Sequence, residues 1–129
     1  MAWIYSDETT FAILHVFDLV SDNGAWVPSL WRLEVANILE MGVRRGRTDA
    51  AFRDTILSEL ALLPVSLDSD TDRQAWSTTA RMATCHRLTL YDAAYLELAK
   101  RRSLPLATVD RDLCAAASVE GVVLLGPDT

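Results

Sequence analysis

The chain has 129 residues, of which 50% are hydrophobic and 23% charged, and a formal net charge of −6. That is one domain's worth of ordinary globular sequence, long enough to bury a core, and it excludes a disordered chain. The acidic balance runs against simple electrostatic binding of nucleic acid, but carboxylates gathered around a divalent metal add negative charge while still serving a phosphate substrate.

No apolar run approaches the roughly 18–20 residues of a membrane span. The start, Met1-Ala2-Trp3-Ile4-Tyr5-Ser6-Asp7-Glu8, has no basic n-region and turns acidic at once, unlike a secretory signal. Cys85 and Cys114 stand in unrelated contexts without metal-ligand spacing. They fit free thiols of a reducing compartment, so a soluble cytoplasmic protein with no membrane association is expected. Arginine almost replaces lysine, Lys100 being the only one, and arginine suits bidentate phosphate recognition.

In chain order, Asp7 to Val20 carries Phe11, Leu14, His15 and Asp18 at helical spacing and ends in the turn chemistry of Asp22-Asn23-Gly24. Trp26-Val27 is a minimal strand stopped by Pro28. Ser29 can cap a helix to about Arg45, with Gly46 at the usual C-terminal position. Thr48 or Asp49 starts a helix ending near Leu63-Pro64, Val65 to Leu67 is a short strand, and Asp70 or Thr71 opens a helix to about His86. Thr89 caps an amphipathic helix through Arg102. Leu104 to Val109 reads as the best strand, Asp110 to Ser118 as a short helix, and Val122 to Leu125 as a last buried strand. Short apolar strands alternating with longer helices predict an α/β fold with a parallel sheet between helical layers.

Three acids interrupt apolar faces. Glu34 has Leu30, Trp31, Asn37 and Ile38 as its helical neighbours, where an unpaired carboxylate would be costly. It stands either at a partly exposed helix edge or in a structural ion pair, or it holds something. Asp92, among Leu88, Thr89, Tyr95 and Leu96, can be a first-turn acid favoured by the helix macrodipole. Asp110 can be a plain N-cap and Asp112 a first-turn acid. Asp110 also follows the end of a buried strand, where ligand sites of open α/β sheets gather. Brought together, these acids would suit metal-assisted phosphodiester hydrolysis.

The segments Trp26-Val27-Pro28-Ser29-Leu30-Trp31-Arg32-Leu33-Glu34-Val35-Ala36-Asn37-Ile38-Leu39, Leu88-Thr89-Leu90-Tyr91-Asp92-Ala93-Ala94-Tyr95-Leu96-Glu97-Leu98-Ala99 and Leu104-Pro105-Leu106-Ala107-Thr108-Val109-Asp110-Arg111-Asp112-Leu113 resemble VapC-type PIN domains. They stand in the family's order and the similarity extends over essentially the whole chain. The resemblance implies a PIN-like three-layer fold, a short, mostly parallel sheet flanked by helices, in one domain over residues 1–129. It implies a metal-dependent endoribonuclease, the toxin of a toxin–antitoxin pair, using Mg²⁺ or Mn²⁺. By position, Glu34, Asp92 and Asp110 match the family's catalytic metal ligands, Asp112 is a fourth candidate ligand, and Thr108 sits where a hydroxyl often flanks the site.

One feature of the family is missing. Its members begin with a hydrophobic strand ending in an aspartate, placed in the middle of the sheet, whereas Ala2 to Glu8 matches the helix and the acidic stretch beyond that strand. The domain is therefore expected to be N-terminally truncated, with unpaired backbone on both neighbouring strands. Asp7 and Glu8 do not take over the role of the absent aspartate.

Arg44-Arg45-Gly46-Arg47 and Lys100-Arg101-Arg102 lie at helix C-termini, where cations complement the dipole. Alternatively, Arg44, Arg45, Arg101 and Arg102 hold RNA backbone beside the acids. Trp3, Ile4 and Tyr5, left without a strand before them, would favour a homodimer or the amphipathic helix of a VapB-like antitoxin. A second function fits the same features: a catalytically impaired PIN remnant that serves as an antitoxin-binding module. A receiver-like phosphoacceptor domain would need a lysine after a late strand, and Lys100 ends a helix instead.

Overall fold

The computed structural model describes residues 20–108 and 110–125. The expected opening helix up to residue 19, the segment Trp3-Ile4-Tyr5 and the missing strand all lie outside them. Helical residues 20–23 lead to Gly24, whose φ of +80° needs a residue without a Cβ. A Cβ there would stand 2.9 Å from the Pro64 carbonyl oxygen, the group that accepts the Ala25 N–H as strand pairing begins.

Strand β1 (Ala25–Val27) is followed by helices α1 (Trp31–Arg44) and α2 (Ala50–Ala61), strand β2 (Val65–Leu67), and helices α3 (Thr71–Gln74), α4 (Thr78–His86) and α5 (Leu90–Arg101). Strand β3 (Leu106–Ala107), helix α6 (Arg111–Glu120) and strand β4 (Leu124–Leu125) complete the described chain. The fold is α/β as expected, mostly helical with short strands. Every described pairing is parallel: Ala25 to Val27 against Val65 to Leu67, and Leu106-Ala107 against Leu124-Leu125.

Among the described residues the strands form two separate pairs, not one continuous sheet. No described strand bridges β1 and β3, and in a parallel ladder alternate residues aim their backbone groups at the opposite edge. Each pair has its own core. Val27, Trp31, Val35, Leu39 and Leu60 pack beside β1 and β2, and Met82, Ala93, Leu96, Ala99, Leu106, Leu113, Ala116, Ala117 and Val122 pack around α4, α5 and α6. The ring of Tyr95 on α5 packs against both.

Local chemistry explains several of the boundaries. Asp49 caps α2 by accepting the Phe52 N–H at 2.8 Å, and Thr89 caps α5 by accepting the Asp92 N–H at 3.1 Å. Gly46 and Gly121 take left-handed conformations after α1 and α6. Ser29 does not cap α1 as expected: Leu30 holds that position without a side-chain bond, and the Ser29 N–H goes to Thr71 Oγ1 at 3.2 Å. The single helix expected from Asp70 to His86 is broken at Ala75-Trp76-Ser77 into α3 and α4, where no glycine or proline announces a break. Strand β3 is also shorter than the run from Leu104 to Val109.

The two cores are clamped by an ionic network. Asp68, fully buried just past β2, accepts from Arg101 Nη1 at 3.1 Å, from Arg102 Nη2 at 3.0 Å and from the Thr71 hydroxyl at 2.9 Å. Arg101 also donates from Nε to buried Glu97 at 2.7 Å, and the Arg102 guanidinium lies 3.6 Å from the Trp26 ring centroid. Among the described residues no helix is long and apolar enough to cross a membrane, and Cys85 and Cys114 form no disulfide.

Candidate active site

Glu34 lies in the first turn of α1, which follows directly from β1. Trp31 and Ile38 beside it pack into the core, whereas Leu30 and Asn37 are exposed. Its carboxylate is thus half-buried at the rim of the helix's apolar face. The Tyr95 hydroxyl donates to Glu34 Oε1 at 2.8 Å, a contact between α1 and α5 that links the two halves of the molecule.

Asp92 opens α5 one turn before Tyr95 and is also half-buried. Asp110 stands just past β3, exposed, where its Oδ1 accepts the Leu113 N–H at 2.9 Å and caps α6. The Thr108 hydroxyl accepts the Asp110 N–H at 3.1 Å. Asp112 is exposed in the first turn of α6.

The acids feel one another. Burial raises the Glu34 carboxyl above its ordinary range; the Tyr95 hydrogen bond opposes this and the Asp92 charge adds to it. Burial likewise raises Asp92, and the Asp110 charge raises it further. A chain of electrostatic contact therefore runs from Glu34 through Asp92 to Asp110, joining acids carried by α1, α5 and the end of β3. Partly desolvated like charges of this kind cost free energy that a cation would relieve.

Among the described residues, no group of three or more ligating side chains is disposed to enclose a metal ion. The donor set nevertheless fits a hard cation, because Mg²⁺ commonly takes one or two carboxylates and completes its shell with water and substrate oxygens. Glu34 and Asp92 would supply the carboxylates, with Asp110 partly committed to its helix cap.

The cationic residues divide into two groups. Arg101 and Arg102 are occupied by Asp68 and Glu97. Arg44 is largely exposed, with Glu40 as its ion-pair partner at 3.7 Å, and Arg45 is exposed just past the end of α1. Sequence reasoning missed Tyr95 and Asp68. The first carried a readable sign, a tyrosine one turn after an acid on a core-facing stripe. The second carried none, since its partners lie 33 and 34 residues further on.

No curated protein matches the chain. A family model does: the PIN domain, over residues 1–119. PIN domains are in general nucleases and typically use divalent metals. Parallel βα units with acids at the strand ends agree with that match, and the chain belongs to the PIN domain family.

Proposed function

We propose that this chain is the toxin of a toxin–antitoxin pair, an endoribonuclease that hydrolyses RNA phosphodiester bonds with Mg²⁺ or Mn²⁺ held by Glu34, Asp92 and Asp110, with Asp112 as a further candidate ligand. The observation that supports the reading is a PIN-family chain in which the half-buried carboxylates of Glu34 and Asp92 are each raised by burial and by a neighbouring acid, Asp92 for the first and exposed Asp110 for the second.

When bound, the metal would polarise the scissile phosphate and make a water more acidic. The protein's own part is positioning and charge. Glu34 is held by Tyr95, Asp92 by the start of α5 and Asp110 by its cap on α6, so the negative charges stand ready before substrate arrives. None of them attacks phosphorus. Thr108 offers a hydroxyl beside Asp110, and Arg44 and Arg45 stand at the end of α1 to hold RNA backbone without reading its sequence. Arg101 and Arg102 would have to leave Asp68 to do the same, which makes them the weaker pair.

The VapB-like antitoxin, the homodimer and the cytoplasmic setting rest on the resemblance and on composition. The test is Mg²⁺- or Mn²⁺-dependent cleavage of RNA by the purified chain. Cleavage that survives both Glu34→Gln and Asp92→Asn would remove these acids from the site.

A second reading is an antitoxin-binding module without catalysis. It is favoured by the lack, among the described residues, of three ligating side chains disposed around one point. Tight antitoxin binding with no metal-dependent cleavage would establish it.

A further inference from the structure

We infer that Tyr95 is a positioning residue for the metal site: its hydroxyl holds one oxygen of the Glu34 carboxylate and leaves the other to serve a cation. The inference rests on the proposed metal-dependent nuclease and assigns a role outside the acidic set.

Its basis is geometric. The Tyr95 ring is packed between the two cores, so its hydroxyl sits on a rigid mount. It donates to Glu34 Oε1 at 2.8 Å, and among the described residues no other hydrogen bond reaches that carboxylate. A glutamate side chain otherwise loses rotamer freedom when fixed. Here a partner already in place restrains it.

Through this one bond a residue between the cores sets the angle of a carboxylate on another helix, as outer partners do for metal-ligating side chains.

The test is Mn²⁺ affinity, read by electron paramagnetic resonance on the full chain without RNA. Tyr95→Phe keeps the ring and removes only the hydroxyl, and Tyr91→Phe makes the same change at an exposed position of α5. Tyr95→Phe should weaken Mn²⁺ binding by about 10- to 100-fold, the usual cost of losing an outer partner, and Tyr91→Phe should leave it within twofold. In a Glu34→Gln background, Tyr95→Phe should add almost nothing, because the hydroxyl acts through that carboxylate.

Circular dichroism separates positioning from unfolding. Should Tyr95→Phe unfold, Tyr95→Leu, which keeps apolar bulk between the cores and likewise lacks the hydroxyl, gives the same readout, and Mn²⁺ binding weakened about 10-fold or more in that folded variant supports the role. Wild-type affinity in a folded Tyr95→Phe protein overturns this inference alone. Absence of Mn²⁺ binding by the unaltered chain overturns the metal reading and this inference with it.

Discussion

Asp68, at the end of β2, and Arg101, at the end of α5, form a two-pronged ion pair in which the carboxylate is fully buried. With Arg102 and Thr71 on the same carboxylate, it is the main polar tie between the two halves of the fold. Removing a partner that leaves buried charge behind typically costs about 3–5 kcal/mol. Arg101→Ala, which takes the cation from the buried Asp68 and Glu97 carboxylates, should lower the unfolding free energy by about that amount in urea titrations. Arg102→Ala should cost less, because Arg101 keeps its hold.

The same carboxylate sets an acid limit. Its hydrogen bond from Arg101, helped by those from Thr71 and Arg102, holds Asp68 well below the usual carboxylate range despite its burial. A depressed folded-state value means that the stabilisation is complete above the unfolded-state value of about 4. It is lost as pH falls from there through the folded-state value. Thermal midpoints should therefore drop steeply on acidification below about pH 4, and less steeply in Asp68→Ala.

Glu34 and Asp92 behave in the opposite sense. Burial and like charge raise both, so ionising them weakens the metal-free fold as pH rises from the unfolded-state value through the folded one. Asp92→Asn should therefore raise the stability of the metal-free protein by about 0.5–2 kcal/mol while abolishing cleavage, the usual exchange of stability for function at a strained site. Differential scanning fluorimetry in chelator, beside a cleavage assay, checks both halves.

Asp110 has a structural duty that can be separated from any catalytic one. Asp110→Asn keeps a capping oxygen for the Leu113 N–H and removes the charge, whereas Asp110→Ala removes both. Only the alanine variant should lose the roughly 1 kcal/mol of a helix cap. Both should lose metal-dependent activity. Denaturation curves and rate measurements on the pair separate the two roles.

How far the sequence was legible depends on the range of the forces. The caps Asp49, Thr89 and Asp110 were readable because each bonds a backbone N–H only three residues away. The strands were readable as apolar runs between turn residues, and Glu34 and Asp92 as acids on apolar stripes. The break at Ala75-Trp76-Ser77 was hidden because it occurs in residues that tolerate a helix. The commitment of Arg101 and Arg102 to Asp68 was hidden for another reason: helix-end cations look alike whether they face solvent, RNA or a buried acid far off in sequence. The Tyr95–Glu34 bond likewise requires two helices to be docked first.

The central claim is that the coupled acids serve a metal-dependent ribonuclease, and the most direct measurement is cleavage of a single-stranded RNA by the purified chain in Mg²⁺ or Mn²⁺. Assays run beside it use a chelator, Glu34→Gln and Asp92→Asn. The expected result is cleavage that depends on added metal and falls by at least about 100-fold in each variant, as loss of a charge-stabilising group at a reaction centre commonly produces. Cleavage that ignores both chelator and substitutions, or no cleavage from the folded, unaltered chain, would contradict it.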